Sequence, residues 1–213
     1  MIIHYSFESL GGADHGWLKA KHHFSFANYH DPNKMSFGEL LVINDDKIAP
    51  KTGFGTHSHN DMEIITFVKT GAISHEDNQG NKGKTSAGNV QIMSAGTGIM
   101  HSEYNHEEEE TTLYQIWITP KSKGIDPRWD SAEFPKEFST DKLTLLVSGN
   151  NDALLKIHQD ARIYTGKFNK KTTINHHING QAYLLISKGD VKIGSINAFK
   201  GDGIAIKDEE KIT

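Results

Sequence analysis

Short apolar runs alternate with glycine-rich turns along most of this chain. Glu39–Ile43, Glu63–Lys69, Asn89–Met93, Leu113–Ile118, Leu143–Val147 and Ala182–Ser187 are clear examples. Many are bounded by Gly, Asn, Asp or Pro, the residues that supply turn geometry. A long apolar period of 3.6 residues, the mark of an amphipathic helix, is hard to find. The pattern predicts an all-β barrel or sandwich. Asp126–Phe138 interrupts it, being rich in Pro, Trp and charge, and reads as a linker or short helical excursion. The domain boundary is expected there or just after it, giving an N-terminal domain of residues 1–130 and a C-terminal domain of residues 131–213.

A weak internal repeat supports two domains. His59-Asn-Asp-Met-Glu63-Ile-Ile-Thr-Phe-Val-Lys-Thr-Gly71 aligns with His177-Ile-Asn-Gly-Gln181-Ala-Tyr-Leu-Leu-Ile-Ser-Lys-Gly189, with apolar positions and the final glycine in common. Further on, Ala87-Gly88-Asn89 matches Lys200-Gly201-Asp202 after a small deletion. The second copy has Asn175 and Gln181 where the first has His57 and Glu63. It reads as the same fold with most of the first copy's polar site missing.

That polar site is two short pairs, His57-Ser58-His59 and His101-Ser102-Glu103. Residues i and i+2 of a strand point to the same face, so each pair presents two metal-type donors on one side. If the two strands face each other, three imidazoles and one carboxylate converge. Gly96 and Gly98 permit the tight bend that would bring the second pair back onto the first. Two such pairs, each beside a glycine turn, make a surface placement the weaker reading. Carried along an uninterrupted strand, the odd positions place Glu63, Ile65 and Phe67 on the same face as His57 and His59, a polar mouth over an apolar floor. Glu63 is a ligand, a partner for an imidazole N–H or a buried hydrogen-bonded group; the partner role is favoured.

Composition narrows the chemistry. The 213 residues contain no cysteine, which excludes disulfides, thiolate metal sites and cysteine nucleophiles. Histidine and carboxylate donors without thiolate suit iron, manganese, nickel, copper or zinc. A net charge of -4 at pH 7 gives no nucleic-acid footprint. No apolar run approaches the roughly 20 residues that cross a bilayer. Met1–Leu10 lacks a basic segment followed by an apolar one, so no signal peptide is expected, and a cytoplasmic location is. Of the other histidines, His22 and His23 precede Phe24-Ser-Phe26 and are expected at a pocket or core edge. His75, His106 and His158 sit in polar surroundings and are expected to be exposed, and His176-His177 has too few partners for a site. Glu107–Glu110 reads as a solvated loop tip. No nucleophile elbow, P-loop or dinucleotide fingerprint occurs.

Gly53-Phe-Gly-Thr-His57-Ser-His59 with Met62-Glu63, followed by Met93-Ser-Ala-Gly-Thr-Gly-Ile-Met-His101-Ser-Glu103, resembles the pirin family of bicupins. The flanks Phe24-Ser-Phe-Ala-Asn-Tyr-His-Asp-Pro32 and Tyr114-Gln-Ile-Trp-Ile118 agree. The resemblance implies two cupin (jelly-roll) β-barrels face to face, with one divalent transition metal, Fe(II) first among the candidates, in the N-terminal barrel. The family's four ligand positions fall on His57, His59, His101 and Glu103. The C-terminal part is short for the family, which would leave the second barrel reduced or open.

Some bacterial pirins resembling this chain are quercetin 2,3-dioxygenases, which open a flavonol ring with O2 and release carbon monoxide. On that reading Glu103 is both a ligand and the base that takes the substrate hydroxyl proton. Ile65, Phe67 and Met93 are then candidate apolar lining for a small aromatic substrate. Eukaryotic pirins are iron-dependent transcriptional co-regulators, so the competing reading is an iron- or redox-sensing protein acting through a protein partner, without direct contact to nucleic acid or membrane. A metal-dependent isomerase or epimerase is the third.

Overall fold

The computed structural model describes residues 1–134 and 142–213. Among them the chain is built almost wholly of strands, with one 3-10 turn at Phe7–Ser9 and no α-helix. It divides into two compact units that are not successive stretches. The larger comprises Gly12–Lys136 and Leu145–Tyr164; the smaller comprises Met1–Gly11, Glu137–Thr144 and Thr165–Thr213. The first strand, β1 (Ile2–Tyr5), belongs to the smaller unit because it pairs with a strand near the C-terminus. A single cut near residue 130 does not describe this exchange.

In chain order the larger unit runs through β2 (Gly11–Asp14), β3 (Leu18–His22), β4 (Leu40–Ile48), β5 (Thr52–His59), β6 (Glu63–Thr70), β7 (Ala72–Asp77), β8 (Lys82–Ser86), β9 (Val90–Ser94), β10 (Ile99–Asn105), β11 (Thr111–Ile118) and β12 (Arg128–Ala132). Seven form one sheet in the order β12-β9-β6-β11-β4-β3-β2, and four form another in the order β5-β10-β7-β8. Ile73 of β7 packs with Leu18, Ile48, Val68 and Leu113 of the larger sheet, so the two sheets enclose a common interior. A second apolar cluster, Ile64, Met93, Ala95 and Ile99 with Met62, Trp117 and Trp129 against it, also joins both sheets. Three short strands, β13 (Thr144–Ser148), β14 (Leu155–Lys156) and β15 (Arg162–Thr165), follow in a separate sheet.

Asp126–Phe138 is not simply a linker. Arg128–Ala132 is β12, paired antiparallel with β9 at the sheet edge, and its anchor is Trp129, partly buried against the Ile64–Met93 cluster. The remainder of that stretch from residue 135 onward lies outside the described residues.

The smaller unit continues with β16 (His176–His177), β17 (Gln181–Leu185), β18 (Asp190–Ile193), β19 (Ile196–Phe199), β20 (Gly203–Lys207) and β21 (Lys211–Ile212). Its sheets are β1-β20-β17, β16-β21 and β18-β19, around a core of Ile186, Ile193, Ala198, Ile204 and Ile206. The aligned segments share their geometry. Gly71 and Gly189 follow the equivalent strands β6 and β17 and precede the next strands, with φ of 73° and 78°, and Gly88 and Gly201 have φ of 85° and 89°; only glycine adopts this region freely. Gly88 N–H donates to Val68 O and Val68 N–H to Asn89 O, and Gly201 N–H donates to Ile186 O and Ile186 N–H to Asp202 O. The internal repeat is therefore present in the backbone hydrogen bonds.

Candidate metal centre

β5 and β10 are antiparallel neighbours, and their register sets His101 directly opposite His57. Directly paired residues project to the same side of a sheet, and His59 lies two residues beyond His57 on that side. One ligand atom from each of His57, His59 and His101 falls within 4.8 Å of the others. Among the described residues this is the only such group of donors. His176 and His177, on β16, are not members of the group.

The proton position on one of these rings follows from its partner. His57 Nδ1 is 2.8 Å from the carbonyl oxygen of Gly55, which can only accept. Nδ1 is therefore a protonated nitrogen, and in the neutral ring His57 Nε2 carries the lone pair. That nitrogen is 3.1 Å from His101 Nε2. Donors bound to one ion at about 2.0–2.1 Å sit about 3 Å apart, so this spacing fits a cation. Burial lowers His59 to about 4 and His101 to about 3, with His57 adding to both effects, so both are neutral donors at pH 7. The residues present fit a divalent ion.

Glu103 stands apart from the three imidazoles. It lies two residues beyond His101, past a register shift, and points into the interior. Gln91 Nε2 donates to Oε1 at 2.7 Å, Gln115 Nε2 to Oε2 at 2.7 Å, and Thr66 Oγ1 to Oε1 at 3.2 Å. Burial raises its carboxyl to about 7 despite these three donors. The expected convergence of all four side chains thus holds for three in this structure.

The expected lining is partly misplaced. His59 ends β5 in the smaller sheet, and Glu63 begins β6 in the larger one. Between them Asp61 takes a left-handed φ of 45°, so the alternation restarts rather than running through. On β6 it is Ile64, Thr66 and Val68 that face the interior. Glu63, Ile65 and Phe67 face the opposite side. Glu63 is fully buried there, with Ser94 Oγ donating to Oε2 at 2.7 Å and no partner for Oε1 among the described residues. It cannot partner an imidazole of the cluster from that face. Met93, opposite Ile64, does lie on the site's side.

Three aromatic residues were not singled out from the sequence. Trp117 meets His59 edge-on at 4.9 Å, and Phe26 meets Trp117 edge-on at 5.4 Å. Trp117 Nε1 donates to Gln115 Oε1 at 3.2 Å, tying the wall to the Glu103 network. His75, expected to be exposed, is 2% exposed, with its ring centroid 5.1 Å from that of His101 and stacked on Trp129. The signal was the alternation in β7, where Ile73, His75 and Asp77 share one face. His22 and His23 are buried, and His22 Nδ1 is 2.8 Å from Asn44 Oδ1.

Residues 5–118 match the family model for Pirin, and residues 145–213 match the quercetinase C-terminal cupin domain. A pirin-like protein of Caulobacter vibrioides is 53% identical over 217 residues, covering 100% of this chain and 94% of the relative. The quercetin 2,3-dioxygenase of Escherichia coli K12 is 47% identical over 206 residues, covering 95% of this chain and 88% of the relative. Among solved structures, bacterial pirin YhhW of Escherichia coli in complex with nickel(II) matches with a TM-score of 0.92 at 45% identity, covering 100% of this chain and 92% of that one.

Proposed function

Because this chain belongs to the pirin family, we propose that it is a metal-dependent dioxygenase that opens a flavonol such as quercetin with O2. Its fold is the bicupin β fold of that family. The reading rests above all on the convergence of His57, His59 and His101, with the Nε2 atoms of His57 and His101 at a spacing that fits a shared cation. Relatives named as quercetin 2,3-dioxygenase and a nickel-bound relative support it.

His57, His59 and His101 would hold one divalent ion. The ion supplies Lewis acidity toward an enolate and a template for substrate and dioxygen. Fe(II) is our first candidate, and the donor set also suits manganese, nickel, copper or zinc. Trp117, Phe26, Ile64 and Met93 form an apolar, aromatic wall for the flavonol rings. Glu103 is our candidate for a fourth donor and for the acceptor of the substrate hydroxyl proton. To act, it gives up one of the amide hydrogen bonds that hold it in this structure. The positions of Gln91 and Gln115 then fix how far the carboxylate travels.

Product analysis tests the proposal. Iron-loaded protein is expected to consume quercetin and release carbon monoxide in equal amounts. Intact quercetin with iron, manganese, nickel and copper alike would contradict it.

A further inference from the structure

β7 lies on the far side of β10 from β5 and brings a second imidazole behind His101. His75 Nδ1 is 3.3 Å from His101 Nδ1, and His75 Nε2 is 2.9 Å from Asp77 Oδ2. The direction of these hydrogen bonds is set at the Asp77 end. Asp77 Oδ1 accepts the backbone N–H groups of Gln79 and Asn81 at 2.9 and 3.0 Å. The Asn81 side-chain amide reaches Oδ1 at 3.2 Å and Oδ2 at 3.0 Å. A carboxyl that accepts so many donors is held as the anion and has no proton to give.

His75 must therefore turn Nε2–H toward Asp77. In a neutral imidazole that leaves the lone pair on Nδ1. His101 then donates Nδ1–H to it, and His101 Nε2 is left as the lone pair that faces His57. The other His101 tautomer would set two lone pairs against each other at His75 and would spend its N–H on the His57 lone pair, closing to a cation the place between the two Nε2 atoms. Trp129, stacked on His75 at 5.0 Å and 11°, fixes the plane of the relay.

We propose that Asp77 and His75 are positioning residues: through two hydrogen bonds in series they fix His101 in the tautomer that offers Nε2 to the metal. The inference rests on the metal-centre reading above. It extends that reading to two residues that touch neither ion nor substrate. Losing such an outer partner typically weakens metal binding about 10–100-fold.

The test combines tautomer and affinity. Nitrogen-15 imidazole spectra of the metal-free wild type read the tautomer directly and are expected to show His101 protonated at Nδ1. Nickel(II) titration of His75→Phe, which keeps a ring against Trp129 but removes the acceptor, is expected to show affinity about 10–100-fold below wild type. His75→Gln, which restores an acceptor, is expected to recover part of it. A wild-type His101 protonated at Nε2 would overturn the proposal, as would unchanged nickel affinity in folded His75→Phe. Should His75→Phe not fold, the wild-type tautomer alone decides. Should the wild type not take nickel at all, the metal reading fails, and the tautomer still reports on the relay separately.

Discussion

His57 and His101 face each other across the β5–β10 pair with their Nε2 atoms 3.1 Å apart. The Gly55 carbonyl fixes the proton of His57 on its other nitrogen. An imidazole lone pair is thereby aimed at a second ring, His101, that burial keeps neutral.

The first consequence concerns metal affinity. His57→Ala and His101→Ala each remove one of three donors, a larger loss than removing an outer partner. Nickel titration is expected to show affinity at least about 100-fold below wild type in either variant. Binding within a few-fold of wild type would place the ion elsewhere.

Glu103 separates holding the ion from using it. Glu103→Gln keeps the shape and much of the amide network but removes the charge and the proton acceptor. Turnover of quercetin is expected to fall by about 10²–10⁴, as for loss of a general base. Nickel affinity is expected to fall less than in His101→Ala, because three imidazoles remain. Wild-type turnover in Glu103→Gln would remove it from the chemistry.

Strand approach holds the site together, and two glycines of β5 differ in what they tolerate. A Cβ at Gly53 would lie 2.3 Å from the Glu103 carbonyl oxygen and 2.5 Å from Tyr104 Cα, both backbone atoms. Gly55 has nothing within 4 Å. Gly53→Ala is expected to cost about 1–3 kcal/mol in denaturant unfolding and to weaken nickel binding by moving β5 off β10. Gly55→Ala is expected to stay within about 0.5 kcal/mol of wild type. Equal stability of the two variants would contradict this packing.

Asp46 gives the fold a pH dependence. It is 2% exposed, in the interior, with Oδ1 unpartnered among the described residues. Burial raises it to about 8; Asp45 and Glu103 push the same way, and Lys69 pulls back. An unfolded aspartate titrates near 3.9, so the folded protein keeps a proton that the unfolded chain releases. Stability from this group is complete below about pH 4, falls as pH rises and levels off above about 8. Between pH 6 and 9 the wild type is expected to lose about 3 kcal/mol more than Asp46→Asn in urea unfolding. Parallel losses in the two proteins would contradict a protonated Asp46.

Much of the centre was legible because strand alternation is local. His57, His59 and His101 needed only their i, i+2 spacing and two strands meeting, and the runs at Glu63–Lys69 and Leu113–Ile118 coincide closely with β6 and β11. Alternation carried no information across a turn. Asn60-Asp61 reset the parity, which turned Glu63, Ile65 and Phe67 to the other face. The separation of Glu103 depended on Gln91, Gln115 and Thr66 from three different strands, contacts that no spacing encodes. His75 was misread from its polar neighbours, although Ile73 on the same face marked that face as buried.

The most direct test is oxygen uptake by the iron-loaded wild type and His101→Ala, each with and without quercetin. Uptake that requires both quercetin and His101 is the expected result. Absence of quercetin-dependent uptake, or equal uptake by both proteins, would contradict a dioxygenase built on this histidine cluster.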